Sequence, residues 1–510
     1  DRNRSHWSTS KTPSYTKSVS WHHYPMSVRF KSPAEFASQS YQLLPFRFSQ
    51  LDDGNYFLST DYGEWMCISP SQLTTLINKE KIEDETLWYE LKAKHMVSNG
   101  IDDNQIALLS SRYRTKKSFL ENFSQLHIFV LTVRCNNSCV YCQASRKSCQ
   151  SDQSRYDMSP ETLEKSIDLF LSMPSDKLTL EFQGGESTLN MGLIRQAVAV
   201  VNRKNTRKDI QFVVCTNLCE LNDEDLDFLL EHKFSISTSL DGPQALHDAN
   251  RKYAKSGAWS ALISTLNKLK QRDAFERVSA LMTTTRPSLD MAEEIINEYV
   301  SHGFRSIFIR ELNPYGFAQK YFHKIGYTTE QFLAFYEKCL DYIIRINHDG
   351  IAFRESYAAL IMKKLMTPWA TGFVDLQSPC GSGFGVTLYN YDGNIYPSDE
   401  SRMMAETGDQ HFKMGSVFEN SPEELFFGSV MQELASAGVN DCLPVCSDCA
   451  FAPYCGADPV RRYQVTGSVY GHPGKDDFCL KNKSIISMVI KRFVEGDRET
   501  RRVLMQWGMK

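Results

Sequence analysis

From residue 126 to about 348 the sequence alternates between two hydrophobic periods, and this constrains the fold more than any other feature. "LHIFVLTV", "KLTLEF", "IQFVVCT", "FSISTSL", "RVSALMTTT" and "SIFIREL" are short runs rich in apolar and β-branched residues, the pattern of buried strands. Between them "SPETLEKSIDLFLSM", "NDEDLDFLLEHK" and "SLDMAEEIINEYV" carry apolar residues at helical spacing. Six such βα units predict an α/β fold with a parallel sheet, open or curled into a partial barrel. "TEQFLAFYEKCLDYIIRI" then predicts a long helix with Phe332, Tyr336, Leu340 and Ile343 along one face.

The flanks differ in character. Residues 1–40, with no methionine before Met26, have the polar composition of a disordered or artificial leader. Residues 41–122 predict a small unit of three strands and then helices: "LPFRFSQ" and "NYFLST" flank Asp53-Gly54, a hairpin signal, and "WMCIS" follows a second turn. A domain boundary is expected near 123, and the barrel segment runs to 350. Residues 351–370 read as a linker, and 371–485 as a small cysteine-rich domain opened by a hairpin around Asp392-Gly393. Residues 486–510 read as a C-terminal helix.

A net charge of -4 with intermixed signs gives no case for a nucleic-acid partner. No apolar run approaches the ~20 residues that cross a bilayer, and the start lacks a secretory pattern. These features predict a cytoplasmic chain with no membrane partner. In that setting clustered cysteines favour metal ligation over disulfides. Of fourteen cysteines, Cys135, Cys139 and Cys142 form one cluster; Cys442, Cys446, Cys449 and Cys455 form another, with Cys380 before it and Cys479 after.

The first cluster, "RCNNSCVYCQ", follows the first strand, where βα folds hold their chemistry. Three thiolates are one short of a structural zinc site or a closed cubane. On a four-iron cluster they leave one iron open to a substrate or cofactor. Alone, the spacing also fits zinc or chance. It is accompanied by "FQGGES" at the end of the second strand, "CTN" at the third and "SLDG" at the fourth.

In this order the motifs resemble those of the radical S-adenosylmethionine (SAM) superfamily. The resemblance implies a partial (β/α)6 barrel and a [4Fe–4S] cluster on Cys135, Cys139 and Cys142, whose fourth iron is chelated by SAM. Tyr141 matches the family's aromatic position, and Gly184, Gly185 and Glu186 its GGE motif. Thr216, Asn217, Ser239 and Asp241 match positions of ribose and carboxylate contacts. The residue after GGE is Ser187, where proline is common in the family.

Cys446, Cys449, Cys455 and Cys479 resemble the SPASM-type extension of radical SAM peptide maturases, which carries auxiliary iron–sulfur clusters; four cysteines also satisfy zinc. A second auxiliary site departs from the pattern. Cys380 and Gly393 match it, but Ser398 and Pro459 stand where cysteines are expected, leaving Cys380 and the extra Cys442 as thiols.

Taken with "LLPFRF", "RTKKSF", "CNNSCVYCQASR", "YPSDESRM" and "CGADPV", the chain from about 41 to 480 is most similar to the maturases of His-Xaa-Ser-type peptide systems. That resemblance implies a ribosomally made precursor peptide, a winged-helix-like leader-binding domain over 41–122, and a cross-link between side chains. It also implies an electron donor such as flavodoxin or ferredoxin. Asp399 is implied as the proton acceptor, on the strand of the hairpin. A formylglycine-generating sulfatase maturase and a non-catalytic peptide-binding iron–sulfur protein are the alternatives.

Overall fold

The computed structural model describes residues 40–510, apart from positions 52, 53, 101, 102, 254, 256, 314 and 510. The expected leader before Ser40, and Asp53 of the first turn, lie outside the described residues.

Six parallel strands form the centre: β1 (Leu126–Thr132), β2 (Lys177–Gly184), β3 (Asp209–Cys215), β4 (Ser235–Ser239), β5 (Val278–Thr283) and β6 (Ser306–Arg310). Each pairs with the next in chain order. Between them lie the helices α1 (Pro160–Ser172), α2 (Met191–Lys204), α3 (Asp223–Glu231), α4 (Ala258–Gln271) and α5 (Ala292–Ser301). The long helix α6 (Thr329–His348) starts at a capping box of Thr328 and Gln331 and buries Phe332, Tyr336, Leu340 and Ile343.

The sheet continues past the six expected strands. β7 (Arg354–Glu355) joins β6, and β8 (Val386–Tyr389) pairs in parallel with β1, Val386 opposite Leu126. β9 (Asn394–Tyr396) and β10 (Gly415–Ser416) follow antiparallel, completing ten strands. The hairpin around Asp392-Gly393 is therefore hydrogen-bonded to the barrel's first strand. Without it β1 would be an open edge. Ile128, Val130 and Val133 also bury themselves against Val386, Leu388 and Tyr396.

The later helices are α7 (Ser356–Met366), α8 (Asp399–Glu406), α9 (Pro459–Thr466), α10 (Asp477–Glu495) and α11 (Arg498–Met509). Where a linker is expected over 351–370, the chain forms β7 and α7. The helix buries Tyr357, Ile361, Met362 and Leu365 and packs on α10 and α11. The C-terminus holds two helices where one is expected.

Residues 41–122 are divided between two compact units. In the smaller, Gln42–Leu43 pairs antiparallel with Val97–Ser98, and Asp84 caps a helix over Glu85–Ala93. Pro45–Leu73 belongs to the larger unit. Its strands Arg47–Gln50, Tyr56–Ser59 and Trp65–Ile68 form the expected antiparallel meander. That meander packs on the cysteine-rich segment. Phe57 stacks on Phe451 at 5.3 Å, Ser59 Oγ donates to Ala450 O at 2.6 Å, and Trp65 Nε1 to Leu365 O at 2.9 Å. A segment with little core of its own gains one this way. Among the described residues no helix is long and apolar enough to cross a membrane.

Candidate functional site

The cysteine loop leaves β1 through an anchored root. Arg134 makes a fork–fork pair with Asp157, Nε to Oδ1 at 2.7 Å and Nη2 to Oδ2 at 2.6 Å, and its Nη1 donates to Cys149 O. Asn137–Cys139 then pairs antiparallel with Arg251–Tyr253. Cys142 N donates to Cys139 O, and Phe317 N donates to Cys142 O at 2.8 Å. Cys135, Cys139 and Cys142 thus sit at the C-terminal end of β1, as expected.

The three thiols feel one another. Burial, then Glu186, Cys139 and Cys142, pushes the Cys135 thiol well up. Burial likewise pushes Cys139 up to about 12, with Cys142 adding to the shift and Arg251 opposing it. Protein alone therefore disfavours the thiolates of Cys135 and Cys139, and a bound cation reverses that balance. No three or more His, Cys, Asp or Glu among the described residues converge at the spacing of a single ion. The donors suit a multi-iron group in which each thiolate meets its own iron.

Gly184 and Gly185 serve the protein's own crossing. Gly184 has φ +136°, and a Cβ there would lie 2.1 Å from Thr132 O; at Gly185 it would lie 2.2 Å from Arg134 O. Gly185 N donates to Thr132 O and Glu186 N to Arg134 O, both at 2.8 Å, so the end of β2 lies on the root of the cysteine loop. Glu186 is buried. It accepts from Asn217 N at 2.7 Å and from Thr188 Oγ1 at 2.6 Å, tying β2 to the end of β3, and burial raises its pKa. Asn217 Nδ2 donates to Asn136 Oδ1 at 2.7 Å, which returns to the cysteine loop. Thr216 Oγ1 accepts from Leu218 N, and Ser239 closes β4 half-buried.

Asp241 has no exposed surface. It accepts from Tyr141 Oη at 2.5 Å, Asn250 Nδ2 at 3.2 Å, Arg251 Nε at 3.3 Å and Thr283 N at 3.3 Å. Arg251 also lies 5.3 Å over the Tyr141 ring. Arg251 is the residue sequence reasoning missed. A lone arginine in "ANRKY" has no motif; only the pairing of its strand with the cysteine loop reveals it.

In the second field Cys446, Cys449, Cys455 and Cys479 are brought within electrostatic reach of one another. Burial pushes Cys446 up to about 11 and Cys479 to about 12, each raised further by the other thiols. Cys479 stands at the start of α10, its N–H bonded to the capping Asp476. Cys380 lies elsewhere, buried among Met403, Met404, Met431 and Leu434, while Cys442 is exposed. No described contact joins these two. Ser398 is the N-cap of α8, and Pro459 the first residue of α9 behind its cap Asp458. The positions that depart from the cysteine pattern begin helices.

Asp399 is expected on a hairpin strand. It is instead the first residue of α8, because the Ser398 capping box ends the extended run. Its carboxylate pairs with Arg402 at 3.3 Å and influences Glu181 on β2 and Cys215 on β3, so it faces the barrel.

Fold and cysteine loop together match a known class. Residues 129–299 match the family model described as Radical SAM superfamily. The chain carries a radical SAM domain, which implies a [4Fe–4S] cluster and SAM. An uncharacterized protein of Methanocaldococcus jannaschii is 29% identical over 188 residues, 37% of this chain and 62% of its own length, so the chain spans less than two thirds of that relative. A cysteine-type anaerobic sulfatase-maturating enzyme of Clostridium novyi is 24% identical over 328 residues, 63% of this chain and 83% of the relative. Among solved structures, native anSMEcpe with bound AdoMet superposes with a TM-score of 0.61 at 17% identity, over 72% of this chain and 98% of that one. Streptococcus suis SuiB bound to precursor peptide SuiA does so at 0.50 and 13%, over 87% and 99%. Both likenesses are of fold.

Proposed function

We propose that this chain is a radical SAM maturase that abstracts a hydrogen atom from a ribosomally synthesised precursor peptide and cross-links two of its side chains, as in His-Xaa-Ser-type systems. The observation that carries the reading is the thiol count in its setting. Three cysteines at the end of β1, bound to the ends of β2 and β3 through Glu186 and Asn217, leave one iron of a cubane open. Two neighbours lend support: one is named for maturing sulfatases, and the other is bound to its precursor peptide.

A [4Fe–4S] cluster held there together with SAM would supply the hydrogen-abstracting chemistry. The chain holds, orients and shields. Cys135, Cys139 and Cys142 would hold the cluster. Tyr141, Gly184, Gly185, Glu186, Thr216, Asn217, Ser239 and Asp241 shape the SAM site, Glu186, Asn217 and Asp241 by fixing the loops that form it. Cys446, Cys449, Cys455 and Cys479 would hold an auxiliary cluster, and Cys380 and Cys442 are the thiols left for a second. Asp399, facing the barrel, receives the proton that leaves the peptide. Residues 41–122 bind the leader, and a flavodoxin or ferredoxin supplies electrons in the cytoplasm.

The C. novyi relative favours a second reading, a sulfatase-type formylglycine maturase. Co-expression with the neighbouring small open reading frame and tandem mass spectrometry separates the two. Loss of two hydrogens per cross-link supports the first reading; a cysteine or serine turned into an aldehyde supports the second. Replacing Cys135, Cys139 and Cys142 together by alanine abolishes 5′-deoxyadenosine formation under either.

A further inference from the structure

A cavity lies where the end of β6 meets α7, α8, α9 and α10. It adjoins the cysteine loop. The segment that brings Tyr315 to its wall continues into Gly316 and Phe317. Phe317 N bonds Cys142 O, and a Cβ on Gly316 would lie 2.5 Å from Gln143 O.

Two of the three cations of this wall are paired. Arg461 and Lys481 each reach Glu311 Oε1 at 2.8 Å. Burial alone would raise the Glu311 carboxyl, yet these two cations hold it below its usual range. Arg310 acts on Glu181 inside the barrel. Asp458 caps α9 by accepting from Arg461 N. Apart from Arg310, for which no ion pair is described, what remains is acidic or hydrogen-bonding. Among the described residues no ion pair reaches Glu400 or Asp375. Tyr315 is 3% exposed, and its buried Oη has no hydrogen-bond partner. Burial of such a hydroxyl without a partner is costly. Burial, then Asp375, Asp399 and Asp458, pushes Glu400 up to about 8. The lining is also aromatic: Phe308, Tyr357 and Phe373 pack mutually at ring separations of 5.4 to 6.1 Å.

From these observations we infer that the cavity binds one planar cationic side chain of the peptide substrate, a guanidinium or a protonated imidazole, through Glu400, Asp375, the Tyr315 hydroxyl and the aromatic rings of its lining. Planar cations match carboxylates through N–H forks and stack on rings, which an ammonium does less well. The inference rests on the reading of the chain as a peptide maturase and names what that substrate carries near the reacting centre.

The test is calorimetric titration of the full-length protein with N-acetyl-arginine methylamide, its uncharged isostere N-acetyl-citrulline methylamide, and N-acetyl-histidine methylamide. The expected result is a preference of at least about tenfold for a planar cation over citrulline. Glu400→Gln and Asp375→Asn, checked for unchanged melting, should each reduce it. Arginine-amide binding that tightens as pH rises through about 8, where Glu400 ionises, identifies guanidinium; histidine-amide binding that peaks between about 6.5 and 8 identifies an imidazolium source. Equal binding of arginine and citrulline amides with no histidine preference overturns the inference. So does absence of cation binding at roughly 10 mM, or a preference that survives both substitutions. Binding is read without turnover, so these outcomes leave the maturase reading standing, which fails on product mass alone.

Discussion

At the scale of single residues, Asp241 shows how a fully buried charge is compensated. With no exposed surface, it faces Arg251, Tyr141, Asn250 and a backbone amide. Removing one member of a buried ion pair strands the other. Asp241→Ala should therefore cost about 3–5 kcal/mol of unfolding free energy. Tyr141→Phe, which deletes one bond to a charged acceptor, should cost about 1.5–3 kcal/mol. Denaturant titration checks both, and near-neutral values would refute the hub. Buried histidines give a pH signature. Burial pushes His127 down to about 3 and His247 to about 4. Above pH ~6.5 neither state of the chain binds a proton there, and the histidines are silent. Below it only the unfolded chain takes protons, so stability falls by about 1.4 kcal/mol per pH unit for each histidine until the folded pKa is reached. His127→Asn should show a shallower loss between pH 6 and 4.5 by about that amount. An unchanged slope counts against the assignment.

At the scale of elements, the barrel depends on how strand ends cross. Gly185 has no room for a Cβ beside Arg134 O, whereas Gly192, near the start of α2, has nothing within 4 Å. Gly185→Ala should destabilise by at least about 2 kcal/mol and reduce iron bound at the first cysteine cluster, because β2 can no longer lie on the loop's root. Gly192→Ala should be stabilising by up to about 1 kcal/mol through helix propensity and unfolded-state entropy. Melting curves and iron content of the two variants test the contrast, and similar behaviour of both would contradict it. Ser398 and Pro459 show the same logic in the sequence. A capping serine and a first-turn proline are strong helix-start residues. In the structure each does that work.

At the scale of the whole molecule, the meander of residues 47–68 and the cysteine-rich segment share one core, with Phe57 fully buried against Phe451 and Tyr454. Phe57→Ala should cost about 3–5 kcal/mol and lower iron at Cys446, Cys449, Cys455 and Cys479 before it affects the first cluster. Hydrogen exchange should show the meander and residues 446–455 losing protection together; loss in the meander alone would separate them. In the basic run "RYRTKK", Arg112 pairs with Glu64 and Lys117 with Asp441. Much of this molecule was legible in the chain. Periodicity, turn residues and the order of short motifs are local, so the six strands, the long capped helix and the position of the three cysteines could be read from neighbouring residues. Partners distant in sequence left no such mark. Pairing of β8 with β1, of Arg251 with Asp241 and of Phe57 with Phe451 depends on which exposed edge, buried charge or apolar face remains to be covered once the local elements exist. That choice minimises unpaired backbone and uncompensated charge over the whole chain, and only the tertiary structure makes it.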